Sequence, residues 1–108
     1  MKIAIGMSDK EIVNDDHFGQ SKFFNIYEYE NGNFEKIEER QNPKYGVHQH
    51  AKVSDMLEFL DDCKVWSGGS MGKGSYNKLK EMGYIPIIVK SLKIDEALKE
   101  IKRVLEVM

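Results

Sequence analysis

The chain has 108 residues, 41% hydrophobic and 31% charged, with a formal net charge of −2. That is enough to close a core without staples, and residues 1–108 are expected to form a single domain. The near-neutral balance excludes a general nucleic-acid binder, and the lone cysteine, Cys63, excludes an internal disulfide or an all-cysteine metal site. No apolar run approaches the roughly 20 residues of a membrane span. The opening Met1-Lys2-Ile3-Ala4-Ile5-Gly6 is too short for a secretory leader, so a cytoplasmic location is expected.

Lys2 to Met7 reads as a buried strand and Ser8 to Asp16 as a polar loop. Phe23 to Tyr29 alternates aromatic and aliphatic residues as a second strand. Asn31-Gly32 then supplies the pair that a type I′ hairpin turn favours. Phe34 to Arg40 returns as a charge-rich strand suited to a sheet edge. Val53, Met56, Leu57 and Leu60 share one face of a helix from about His50 to Asp62.

Lys64 to Ser67 is a short strand, followed by a turn from Gly68 to Ser75. A helix from Tyr76 to Met82 stops at Gly83, and Tyr84 to Val89 forms a strand whose Pro86 points to an edge. Ile94, Ala97, Leu98, Ile101, Val104, Leu105 and Met108 line a last helix, with Asp95 and Glu96 in its first turn complementing the helix dipole. The order βββαβαβα with right-handed crossovers predicts an α/β fold: a five-stranded mixed sheet, order 3-2-1-4-5, with three helices, the ribonuclease-H-like motif.

Met1-Lys2-Ile3-Ala4-Ile5, His17-Phe18-Gly19, Phe23-Phe24-Asn25-Ile26-Tyr27, the histidine segment ahead of the first helix, Ser67-Gly68-Gly69 with Met71-Gly72, and Ile94-Asp95-Glu96-Ala97-Leu98 occur in an informative order. In this the chain resembles the NifX/NifB-type dinitrogenase iron–molybdenum cofactor biosynthesis family over nearly its whole length. The resemblance implies a protein that binds or carries an iron–sulfur or molybdenum–iron–sulfur cluster, such as the iron–molybdenum cofactor or a precursor. Cluster donor and acceptor proteins are then the expected partners, with the chain itself a monomer or weak dimer. Ser70 stands as an extra residue in the glycine turn, and Lys73-Gly74-Ser75 replaces the family's commoner continuation.

His48 and His50, one residue apart in Gly46-Val47-His48-Gln49-His50, can aim two imidazoles at one metal species if the segment is extended. His50 equally falls in phase with the core stripe of the first helix. His17 is the candidate third imidazole or, alternatively, a loop brace. Gly68, Gly69, Met71, Gly72 and Lys73 lie in a turn ahead of a helix that can cradle an anion or simply pack closely.

The turn has neither P-loop nor dinucleotide-binding spacing. Residues 64–108 carry nine Lys/Arg against five Asp/Glu, and residues 1–63 carry seven against thirteen, so the C-terminal half is the positive one. A carrier or scaffold using His17, His48, His50 and the turn is the first expectation. A small-anion or nucleotide-binding regulatory module using Gly68 to Ser75 is the alternative. Nuclease chemistry is not expected, because Ile3 to Met7 carries no carboxylate to start a two-metal site.

Overall fold

Alternation along the first strand puts Ile3, Ile5 and Met7 on one face and Ala4 on the other, and both sets are fully buried. A strand apolar on both faces needs helices on both sides. In the computed structural model, which describes residues 1–46 and 52–108, the chain supplies them. Strands β1 (Lys2–Asp9), β2 (Ile12–Val13), β3 (Phe23–Glu30) and β4 (Asn33–Gln41) come first. Helix α1 (Val53–Leu60), strand β5 (Val65–Gly68), helix α2 (Lys73–Glu81), strand β6 (Ile85–Ile88) and helix α3 (Ile94–Glu106) follow.

The sheet order is β4-β3-β1-β5-β6, with β1 antiparallel to β3 and parallel to β5. The expected 3-2-1-4-5 order is therefore present. It is joined by a sixth strand, the two-residue β2, within the stretch expected to be a loop. That pair is too short to alternate; its pairing with β1 at Met7↔Val13 and the Ile12↔Lys93 bridge make it a strand. β1 also runs two residues further than expected, ending at exposed Asp9, whose carboxylate accepts the Lys10 N–H at 2.7 Å.

α3 packs with Ala97 and Ile101 against Ile3, Ile5, Tyr27 and Val65. On the opposite face α1 and α2 cover Ala4, Phe24, Ile26 and Trp66 with Val53, Met56, Leu60 and Leu79. Each of these large side chains contributes about 1.5–3 kcal/mol by leaving water. The expected stripe on α3 overreaches at its end: Val104 is exposed, and Met108 lies beyond the helix and is 70% exposed. Val104 stands beside Ile87 and Ile88 at the β6 edge of the sheet, whereas Leu105 still packs against the core.

Local signals act where expected. Asn31 and Gly32 have φ of 53° and 79°, the double positive value of a type I′ turn, and Gly83 ends α2 at φ 89°. β6 is an edge strand, and Ile85 and Val89 donate N–H groups to the Lys64 and Gly68 carbonyls. The nitrogen of Pro86 alternates to the open side, where no N–H is needed. α2 begins at Lys73, three residues before the expected start, because Tyr76 N–H donates to Gly72 C=O at 2.9 Å.

Arg40 ties the edge strand β4 to the end of α1. Its guanidinium donates to both Asp62 oxygens at 2.7 and 2.8 Å, to the Phe59 carbonyl at 2.7 Å, and to Glu38 at 2.7 Å. Lys2 adds a bond to Asp62 at 3.1 Å. Hydrogen bonding by Arg40 holds the Asp62 carboxyl well below the carboxylate range. A depressed carboxyl stabilises the fold above its unfolded value of 3.8 and loses that contribution as pH falls through the folded value. Because Asp62 is over a third exposed, solvent screening moderates the effect. Acid titration of the thermal midpoint is expected to fall below that pH in the native protein and more shallowly in Arg40→Met.

Candidate functional site

Parallel β1 and β5 end at the same side of the sheet, and the loops that leave them meet there. Gly69, the first residue after β5, would clash with the loop after β1 if it carried a side chain. A Cβ on Gly69 would lie 2.8 Å from the Asn14 carbonyl oxygen and 2.9 Å from Asp15 Cα. Glycine lets the backbones close up: Gly69 N–H donates to Asn14 C=O at 2.9 Å, and His17 bridges Ser70 in parallel fashion. Gly69 is thus a packing residue whose N–H is already committed. Gly68 is the buried last residue of β5, 3.3 Å by its would-be Cβ from the Phe18 ring.

The loop carrying His17 is organised by three asparagine and serine side chains that sequence reasoning did not single out. Asn14, 6% exposed, donates through Nδ2 to the Asp16 and His17 carbonyls at 3.2 and 3.1 Å and to Ser21 Oγ at 3.2 Å. Ser21, fully buried, donates to Phe18 C=O at 2.7 Å, and Asn42 donates to the Gly19 and Ser21 carbonyls at 3.0 and 2.7 Å. Buried carbonyls of an irregular loop need such donors. The available signal was the placement of Asn and Ser, residues that bond nearby backbone, on both sides of His17-Phe18-Gly19.

Between this loop, α1 and α2 lies a crevice of about 170 Å³. Phe18, Trp66 and Leu79 form its apolar wall, with Phe18 stacked on Trp66 at 5.7 Å between ring centroids. His17, Met56, Met71 and Gly72 bring the polar and sulfur groups. The His17 ring stands over Gly72, with Cε1 and Nδ1 each 3.8 Å from where a Cβ would be. His17, Met71 and Gly72 are therefore brought together. Lys73, exposed, is the first residue of α2, beside the crevice and outside its lining. His48 and His50 lie outside the described residues.

Both helices on this face begin at the crevice, since α1 leads into the start of β5 and α2 leaves its end. Their free amides give a positive field there. Lys52 is the N-cap of α1 and Lys73 opens α2, whose first turn holds no acidic residue. Cations at helix N-termini oppose the dipole. The loop that supplies His17 also carries Asp15 and Asp16, the latter accepting the His17 N–H at 2.7 Å. Among the described residues no three His, Cys, Asp or Glu side chains are grouped to hold a metal ion.

Cys63 is fully buried at the far end of α1, and burial pushes its thiol up to about 12. It stays protonated at neutral pH and is shielded from solvent. The raised value stabilises the fold fully below the ordinary 9.0 and less as pH climbs toward 12. Alkylation of the native thiol at neutral pH is expected to run at least about a hundredfold slower than in denaturant, read by mass spectrometry. The two glycine types separate by calorimetry: Gly69→Ala costs about 1–3 kcal/mol by overpacking, whereas Gly74→Ala, with nothing within 4 Å of its Cβ, is neutral or stabilising by about 0.5–1 kcal/mol.

No curated protein matches the chain. Among solved structures it is similar to the crystal structure of PH0822, with TM-score 0.75, 20% identity, and 96% of this chain and 90% of that one covered. It is also similar to the NMR structure of TM1290, a candidate NifB protein from Thermotoga placed in the DUF35 family, with TM-score 0.68, 20% identity, and coverage of 94% and 87%. At that identity these likenesses speak to the fold. Among the described residues no helix is long and apolar enough to cross a membrane. The sequence profile of the dinitrogenase iron-molybdenum cofactor family matches residues 1–104, and the chain belongs to that family.

Proposed function

We propose that the chain is a non-enzymatic carrier or scaffold for an anionic metal–sulfur cluster, an iron–sulfur or molybdenum–iron–sulfur species of the iron–molybdenum cofactor or precursor type. The observation that carries this reading is the crevice itself. One imidazole, His17, and two thioethers, Met56 and Met71, meet the amino ends of two helices there. Imidazole and thioether are soft enough for cluster metals, while helix amides and Lys73 offset the negative charge of bridging sulfides.

The donor set fits cargo better than a resident cofactor. A single imidazole among the described residues anchors one metal and leaves the rest of a cluster open to exchange. The crevice is also below the roughly 300–1,000 Å³ of ordinary small-molecule sites, so a cluster would seat at its mouth with one corner inward. His48 and His50 belong to the proposal as further ligands, since the chain runs from His50 to Val53, a crevice residue, in three steps. The alternative, a small-anion or nucleotide module, is left with the amides after Gly69, because that residue's own N–H is committed to Asn14.

The test is anaerobic reconstitution with ferrous iron, sulfide and molybdate. A charge-transfer absorption band and quenching of Trp66, the one tryptophan, are expected to appear together. His17→Ala, and His48→Ala combined with His50→Ala, are each expected to weaken uptake about tenfold or more. Unchanged uptake in both variants would remove the histidines as ligands. Calorimetric binding of a nucleotide, without cluster uptake, would favour the alternative.

A further inference from the structure

A second, open groove of about 550 Å³ runs between α1 and α2 and shares Val53 and Ser75 with the crevice. Its floor is Val53, Leu57 and Met82, the last 43% exposed, and its charged lining is Lys52 and Lys78 with no carboxylate. Neither lysine makes an ion pair among the described residues.

One further residue of the groove lacks an explanation among the described residues. Gly74 sits in the first turn of α2 with no positive φ, and a Cβ there would meet nothing within 4 Å among the described residues. Glycine is the poorest helix former after proline, and neither turn geometry nor packing requires it here. A missing side chain also permits close approach by a group from outside the described residues.

We infer that this groove docks an acidic, amphipathic helical segment of a partner protein, and this rests on the carrier reading because the groove opens onto the crevice. Apolar anchors of the segment fill the space over Leu57 and Met82, where the flexible thioether adapts to them. Its carboxylates face Lys52 and Lys78, and its backbone passes over Gly74. A partner so seated lies at the mouth of the crevice, positioned to hand over or receive the cluster.

The experiment is an NMR titration of the full isotope-labelled chain, without cluster, against two synthetic helical peptides. They share leucine anchors at i, i+3, i+4 and i+7 and differ in having glutamate or lysine elsewhere. The glutamate peptide is expected to shift the amides of Ser54, Leu57, Gly74, Lys78 and Met82 and to bind about tenfold more tightly than the lysine peptide, with the preference lost at high salt. Gly74→Leu, which fills the groove from a helical position, and Lys78→Glu should each abolish the effect while keeping a native spectrum.

Equal binding of both peptides, shifts centred elsewhere, or retained binding in both variants would overturn the inference. Concentration-dependent shifts of the same amides without peptide would assign the groove to a second copy and also overturn it. Cluster uptake by Gly74→Leu, measured separately, distinguishes the two readings. Uptake without peptide binding in the native chain removes the docking groove alone, and peptide binding without uptake removes the carrier.

Discussion

The end of the sheet that carries the candidate site depends on the contact between Asn14 and Gly69. Two loops leave neighbouring parallel strands and must close against each other while their peptide groups are removed from water. The Gly69 N–H meets the Asn14 carbonyl at 2.9 Å, and the Asn14 side chain turns back to hold the carbonyls of Asp16 and His17. Without a glycine the backbones cannot approach; the asparagine amide adds a second donor to the His17 carbonyl, which also accepts the Gln20 N–H at 2.8 Å, and one to that of Asp16. His17 and Phe18 take their places at the crevice as a consequence. Ser21 and Asn42 extend the same logic, so the loop is held from both sides by buried polar groups.

Electrostatics at this end is arranged less favourably for the isolated chain than elsewhere. α3 follows the usual rule, with Asp95 and Glu96 in its first turn and Arg103 in its last. α1 and α2 depart from it, starting at Lys52 and Lys73 beside the crevice. Asp55 moderates the first case by accepting the Lys52 N–H at 3.0 Å, and nothing comparable serves α2. Departures from locally favourable choices cluster where function is expected. The balanced charges of the Arg40, Asp62, Glu38 and Lys2 network sit at the opposite end of α1, where their role is to fasten helix to edge strand.

Much of the fold was legible because its signals are local. Alternation in the first strand, the Asn31-Gly32 pair, Pro86 at an edge and Gly83 after a helix each act over a few residues, and each was found in place. Strand order followed from connection rules applied to those elements. β2 was not legible, since two residues cannot show a period, and the early start of α2 was hidden by two glycines in its approach and first turn. The exposure of Val104 could not be read either: helix periodicity marks a face without saying which of its residues fall at the edge of the sheet.

For the site, the sequence by itself determined which residue types were on offer: three histidines, a glycine turn, Met71 and a positive C-terminal half. Only the tertiary structure decided that His17 stands over Gly72, that Met56 joins Met71 in the crevice wall, and that Gly69 is consumed by packing. The reason is physical. The contacts of His17 with Gly72 and of Asn14 with Gly69 span the ends of two parallel strands, some fifty residues apart in the chain, and no local pattern encodes such a distance. The family likeness came from residues in order along the chain; the arrangement of their chemistry came from the sheet that brings them together.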